Sequence, residues 1–222
     1  MIVFPHADDE AMISGGFISK LSGMGTDVYW VILTKGEKGN PNGIVDENLK
    51  EIRVKEAEKA GKIYKIHNLI QKNYPDGGLE SFKMELRKDI SGLIKIINPE
   101  LIITYDISGL YGHPDHVVAS NIVTDIVRKN PKIKLWYVSY PKRILNLITL
   151  PEKMTKDKNY IQKRTYPSMK ILIGINGIIN KIRAVYAYKS QKASFQEGLP
   201  YKFIPLWFYI TLIPYEYFYE KN

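Results

Sequence analysis

Two short segments concentrate the side chains that bind cations and move protons. One is Pro5-His6-Ala7-Asp8-Asp9-Glu10 and the other is Gly112-His113-Pro114-Asp115-His116. Together they hold three of the four histidines in the chain. Cysteine is absent, so disulfides and thiolate ligands are excluded, and a bound metal must use His, Asp or Glu. A hydrolytic Zn²⁺ site takes three protein ligands and keeps a position for water. The ion acidifies that water and polarises a carbonyl, while a carboxylate outside the ligand set can take the proton. Both segments contain such parts. Adjacent carboxylates at a strand-to-helix turn point in different directions, so Asp8 and Asp9 can divide the labour, one on metal and one facing water. His113 and His116 are three apart on one face of a first helical turn, so one can ligate while the other reaches substrate. Asp115 is placed to orient an imidazole. A purely structural reading makes His6, Asp8 and Asp9 strand-end and N-cap residues. It accounts for either segment alone far better than for the two together.

These segments need elements that bring them to one place. Met1–Phe4 is a short apolar run ending at Pro5, and a helical pattern follows over Asp9–Ser22. The composition predicts strands at 27–33, 63–69, 101–105 and 133–140, each rich in β-branched or aromatic residues. Amphipathic helices are expected over 47–61, with Glu51 and Lys55 as an i,i+4 pair and Gly61 as C-cap, and over 79–97, stopping before Pro99. Pro114 suits the first residue of a helix reaching about Lys129. Residues 34–43, 74–78 and 106–112 carry turn chemistry. This alternation predicts an α/β, Rossmann-like fold with a mainly parallel sheet and helices on both faces. Such sheets bind ligands beyond the carboxyl ends of their strands. The loops after Phe4, Leu33, Leu69 and Tyr105 are therefore expected on one rim. Beyond about residue 141 the pattern is less legible. A helix is expected over 176–190, periodicity is weak over 145–168, and 202–219 is dominated by aromatic and aliphatic residues. With no linker or repeat, residues 1–222 are read as one domain.

The paired motifs resemble those of the PIG-L/LmbE family of zinc-dependent N-acetylglucosamine de-N-acetylases, over roughly residues 1–130. Thr34-Lys35-Gly36-Glu37-Lys38-Gly39 is similar to that family's glycine-containing loop, Arg53 and Glu56 to its R-x-x-E helix, and Tyr74-Pro75-Asp76-Gly77 to its D-G turn. Tyr188-Lys189-Ser190-Gln191 resembles a late S-Q signature. The resemblance implies Zn²⁺ on His6, Asp9 and His116; by ligand type alone Fe²⁺ is another metal that suits them. It implies Asp8 as general base, His113 as stabiliser or proton donor, Asp115 as support for a histidine and Tyr111 as an aid to the oxyanion or leaving amine. Arg53 and Asp76 match positions that hold sugar hydroxyls, and the substrate implied is a small N-acetyl amino sugar conjugate. Ala7 stands where Pro is more frequent, which should only loosen the turn. The chain begins four residues before the motif, which makes a trimmed or alternative start an expectation.

Other classes fit less well. Two His and one carboxylate also suit non-haem Fe(II) enzymes, but oxygenation has no use for Asp8. The 32 Lys and Arg against 23 Asp and Glu leave a formal charge of +9, spread along the chain rather than gathered in a block. That favours a solvated surface over a nucleic-acid module with a structural metal, so no nucleic-acid partner is expected. Neither a dinucleotide nor a Walker loop is present, nor a G-x-S-x-G nucleophile. Glu10 reads as structural, and His67 as a core or surface residue. The C-terminal aromatics, including Trp207, Phe208, Tyr209, Tyr215, Tyr217, Phe218 and Tyr219, admit core packing, a homo-oligomer interface or a peripheral membrane contact. The missing basic n-region and apolar h-region and the lack of cysteine point to the cytoplasm.

Overall fold

The computed structural model describes residues 1–39, 48–149, 155 and 159–221. The chain runs β1 (Ile2–Phe4), α1 (Asp9–Ile13), α2 (Gly15–Gly23), β2 (Tyr29–Thr34), α3 (Leu49–Tyr64) and β3 (Asn68–Tyr74). A single 3₁₀ turn (Leu79–Phe82) leads into α4 (Lys83–Ile97), followed by β4 (Leu101–Tyr105), a helical turn α5 (Gly109–Gly112), α6 (Pro114–Arg128) and β5 (Lys134–Val138). Two further turns, α7 (Lys142–Leu145) and α8 (Tyr160–Lys163), precede β6 (Met169–Leu172), α9 (Gly174–Val185), α10 (Lys192–Glu197), α11 (Leu206–Leu212) and β7 (Tyr215–Lys221).

The seven strands form one sheet in the order β3-β2-β1-β4-β5-β7-β6. The first five are parallel, and β7 joins β5 and β6 antiparallel. Strands β1, β2 and β4 read as near-continuous apolar runs because helices cover both of their faces. Alternate residues divide between two cores. Ile2, Phe4, Trp30 and Ile32 pack with α2, α3 and α9, whereas Val3, Val31 and Leu33 pack with α4 and α6. The strand order reverses between β1 and β4. The chain leaves these neighbours toward different crossovers, which opens a crevice at their carboxyl ends. The two motifs follow these two strands, as expected.

Several boundaries differ from the sequence expectation. The helix expected over Asp9–Ser22 breaks at Ser14 (φ −143°), giving α1 and α2. The helix expected to end at Gly61 continues to Tyr64 and closes on Lys65 in the left-handed region (φ 57°). Tyr64 is buried, and its ring lies against Gly15, where a Cβ would come within 2.5 Å of the phenol oxygen. That packing draws the last turn inward, so the strand expected at 63–69 starts instead at Asn68. The rim loop consequently follows Tyr74, not Leu69. Residues 40–43 of the expected loop, Glu47 and parts of 145–168 lie outside the described residues. His67 is exposed and pairs with Asp27 at 3.1 Å. Among the described residues, no helix is long and apolar enough to cross a membrane.

The C-terminal strands are tied to α1 and α2, just after the first motif, by a buried ion pair. Lys181 Nζ of α9 donates to Glu216 Oε1 of β7 at 2.7 Å and to the Met12 carbonyl at 2.8 Å. The Glu216 carboxylate accepts the backbone N–H groups of Gly16 (2.9 Å) and Phe17 (2.7 Å), orphan donors in the first turn of α2. Removing one member leaves a buried charge unpaired. Glu216→Ala is therefore expected to lower unfolding free energy by about 3 kcal/mol, measured by urea denaturation; an unchanged midpoint would contradict this account.

Candidate metal centre

The turn after β1 gives the first motif its geometry. Asp8 sits at φ 91°, in the left-handed region that Asp tolerates better than most residues. This reversal separates the two neighbouring carboxylates. Asp9 begins α1, and its Oδ2 accepts the backbone N–H of His6 at 3.0 Å. Asp8 turns instead toward Arg53, whose Nη2 lies 3.3 Å from Asp8 Oδ1 and donates to the Ala7 carbonyl at 2.6 Å. Gly36 lies against this guanidinium, and a Cβ there would come within 2.2 Å of Arg53 Nε.

His6, Asp9 and His116 converge. His6 Nδ1 and His116 Nε2 are 3.3 Å apart, His6 Nδ1 and Asp9 Oδ2 3.5 Å, and His116 Nε2 and Asp9 Oδ1 3.4 Å. Donor atoms around a tetrahedral ion with bonds of about 2.0–2.1 Å are separated by about 3.4 Å. The far side of each imidazole fixes its proton. His116 Nδ1 faces the Gly109 carbonyl at 3.2 Å, and a carbonyl only accepts, so Nδ1 carries the hydrogen. His6 Nε2 faces Asp76 Oδ1 at 3.1 Å and Asp115 Oδ2 at 3.3 Å, both acceptors. In their neutral forms both imidazoles thus turn a lone pair toward the same point, beside a carboxylate. This donor set fits a divalent cation. Burial opposes a charged His6, but the Asp115, Asp76 and Asp9 carboxylates outweigh it and raise its pKa well above the usual histidine value. The centre thus favours positive charge.

The surrounding groups have distinct states. Burial raises the Asp8 carboxyl to about 6, with Arg53 opposing. His113 caps α6 by accepting Asp115 N–H on Nδ1 at 3.2 Å, leaving Nε2 to carry the proton. Burial, then the neighbouring His6, lowers its pKa to about 4, so it is a neutral donor. Its ring centre is 5.0 Å from His6 and 4.6 Å from His116. Asp115, the residue before His116, also accepts Gly77 N–H (2.7 Å) and Leu79 N–H (3.1 Å). Asp76 is buried behind His6 and accepts Lys38 N–H at 2.9 Å. Burial raises Glu10 to about 8. It faces away from the centre, with Oε1 accepting from Tyr188 at 2.9 Å, so its structural reading agrees with its contacts.

Tyr111 lies beside both histidines of the second motif, its ring centre 5.2 Å from His116 and 5.9 Å from His113. It follows Leu110, which has φ 66° and ψ −51°, a sparsely populated conformation. This turn is clamped from outside the motif. Arg164 Nη2 and Nε donate to the Leu110 carbonyl at 2.6 and 3.1 Å, and Thr165 Oγ1 donates to Asp106 Oδ2 at 2.9 Å. Sequence reasoning missed Arg164 and Thr165, which lie in a stretch without periodicity. It also missed Tyr105, whose hydroxyl donates to Asp9 Oδ1 at 2.8 Å and whose ring stacks on His116 at 4.1 Å. Its position as the last residue of β4 was the available signal. The R-x-x-E helix and the late S-Q segment meet directly. Glu56 accepts Ser190 N–H and Oγ–H at 2.8 and 2.6 Å, and Gln191 donates to the Gly39 carbonyl at 2.8 Å.

A mainly parallel sheet carrying a His/Asp/His cluster that could hold a metal ion beyond its carboxyl ends defines an α/β protein with a candidate metal centre. Residues 1–127 match the family described as PIG-L, GlcNAc-PI de-N-acetylase, and the chain belongs to that family. It is 31% identical over 172 residues to a probable N-acetyl-alpha-D-glucosaminyl L-malate deacetylase 2 of Bacillus anthracis, covering 74% of this chain and 76% of that one. It is 32% identical over 166 residues to the 1D-myo-inositol 2-acetamido-2-deoxy-alpha-D-glucopyranoside deacetylase of Corynebacterium diphtheriae. That match covers 62% of this chain and 55% of the relative, so the chain spans about half the relative's length. The solved N,N'-diacetylchitobiose deacetylase from Pyrococcus horikoshii shares the fold, with TM-score 0.70 at 20% identity over 99% of this chain and 82% of that one.

Gly109 tests the geometry of the second motif. It has φ +62°, and an added Cβ would lie 2.9 Å from both His116 Cβ and Val117 N. Gly109→Ala is expected to cost about 2 kcal/mol of stability by urea unfolding. A smaller effect than that of Gly23→Ala, where an added Cβ meets nothing within 4 Å, would count against the His116–Gly109 arrangement.

Proposed function

We propose that this chain is a metal-dependent hydrolase that removes the N-acetyl group from an N-acetylglucosamine conjugate. The reading is carried by the triangle of donor atoms on His6, Asp9 and His116, with the non-ligand carboxylate of Asp8 beside it. These three residues would hold Zn²⁺, which when bound acidifies a water and polarises the amide carbonyl. Asp8 takes the proton of that water, its carboxyl held near 6 so that it is a base at neutral pH and still basic enough to accept. His113 donates from Nε2 to the oxygen on which negative charge grows. Tyr111 assists that oxygen or the leaving amine. Asp115 and Asp76 hold His6 in its metal-ready tautomer. Arg53 and Asp76 meet the sugar hydroxyls from positions that their contacts with Asp8 and His6 fix. Residues 1–222 act as one domain, because β6 and β7 complete the sheet and Glu216 anchors α2.

Fe²⁺ also suits two His and one carboxylate, so metal analysis belongs beside the assay. A panel containing N-acetylglucosaminyl malate, N-acetylglucosaminyl inositol and diacetylchitobiose, read as free amine, tests the substrate class. Release of amine from at least one is expected, and none from all would overturn the reading. Asp8→Asn should keep the metal and lose about a hundred- to ten-thousandfold in kcat. His116→Ala should lose the metal itself, measured by elemental analysis. Turnover by Asp8→Asn at the wild-type rate would remove the base assignment. Tyr105→Phe should weaken metal affinity about tenfold or more, because it removes the donor on Asp9; titration with a competing chelator reads the change.

A further inference from the structure

Several of the most exposed aromatic side chains lie in α11 and the segment before it. Phe203 is 84% exposed and Tyr201 59%, and Trp207 and Phe208 are also exposed. They are linked in a string. The rings of Tyr201 and Phe203 are 5.9 Å apart, and the Tyr209 hydroxyl donates to the Tyr201 carbonyl at 3.1 Å. Phe208 lies between Tyr209 (6.5 Å) and Trp207 (6.0 Å). Helix α9 packs against α11 and carries a second apolar stripe. Its inner face buries Gly177, Lys181, Ala184 and Val185. Ile175, Ile179 and Tyr186 are exposed at helical spacing on the outer face. Contiguous exposed apolar side chains of this kind mark an interaction surface.

The charge beside the string selects the partner. Lys189, Lys192 and Lys202 line a cleft of about 430 Å³ with a single carboxylate, Glu197. Lys202 stands between Tyr201 and Phe203 in the chain. Aromatic rings with one polar edge sit well at the level of lipid headgroups, and lysines extend their stems along apolar surface while the ammonium stays in the polar layer. A second copy joined through a twofold axis would bring the same lysines together, and the whole chain already carries +9. An anionic surface relieves both charges.

We propose that this face docks on an anionic phospholipid bilayer, with Tyr201, Phe203, Trp207 and Phe208 in the headgroup region and Lys189, Lys192 and Lys202 against lipid phosphates. The proposal stands apart from the deacetylase reading, since vesicle binding requires no turnover. The same chain segment touches the loop that packs on Arg53, because Gln191, between two of these lysines, donates to the Gly39 carbonyl.

Trp207 supplies a direct probe. Of the three tryptophans, Trp30 is buried and Trp136 packs against the same core. The full chain is mixed with vesicles of phosphatidylcholine alone or of phosphatidylcholine and phosphatidylglycerol in equal parts. Cosedimentation with the anionic vesicles only, a blue shift of tryptophan emission and release by added salt are expected. Phe203→Ser with Trp207→Ser should abolish binding, and charge reversal at Lys189, Lys192 and Lys202 should weaken it at least fivefold per position at low salt. Thermal unfolding and metal content, both expected unchanged, show that these surface variants fold. No affinity for anionic vesicles, equal affinity for neutral ones, or binding unmoved by either set of changes would overturn the proposal. Equally, a concentration-dependent dimer abolished by Phe203→Ser and Trp207→Ser, without vesicle binding, would assign the face to self-association instead.

Discussion

Two imidazole nitrogens, Nδ1 of His6 and Nε2 of His116, face each other across 3.3 Å at the centre of this molecule. They do so because each ring has its proton committed on the far side, to the Gly109 carbonyl for His116 and to Asp76 and Asp115 for His6. Two nitrogens so placed need a positive charge between them, which a proton on His6 or a bound cation supplies. The rest of the site can be understood as preserving that demand. Asp9 adds a third acceptor, held by Tyr105 and by the His6 backbone. Asp115 and Asp76 stay fixed because backbone N–H groups of Gly77, Leu79 and Lys38 hold them. Asp8 is kept out of the acceptor cluster by its left-handed backbone and by Arg53.

The C-terminal part gives this centre mechanical support. Glu216 satisfies the start of α2, just after the first motif, and Gln191 holds the loop against which Arg53 rests. Tyr188 closes the back of the first motif through Glu10. A buried carboxyl with a raised pKa is tolerated there because two phenols and a backbone N–H surround it. The family match ends at residue 127, yet the interactions that fix its motifs come in good part from beyond it.

The parallel half of the sheet and the convergence of the two motifs were legible because they follow from simple local rules. Apolar runs alternated with amphipathic spacing, and both histidine segments stood at strand ends beside the reversal of strand order. Boundaries were less legible where a distant contact set them. Gly61 suggested a helix end, but burial of Tyr64 carried the helix further. The roles of Asp76 and Arg53 were only half visible, since nothing in the spacing announces that one lies behind His6 and the other beside Asp8. Arg164 and Thr165 gave no signal at all. Their importance arises from reaching a carbonyl and a carboxylate more than fifty residues away, which no local pattern encodes. The antiparallel β6 and β7 were hidden for a related reason. The aromatic residues of β7 suit a strand, a helix or a surface equally well, and only its pairing with β5 and with the short β6 decides.

The clamp on Leu110 has an evolutionary consequence. A strained turn beside the reactive groups is held by residues that carry no chemistry and belong to no motif. Drift at Arg164, or in the segment around it, would alter the tension on Tyr111 while leaving His6, Asp8, Asp9 and His116 untouched. Lineages could thus adjust the tempo of one inherited centre from its periphery, and an inventory of motif residues would register no change.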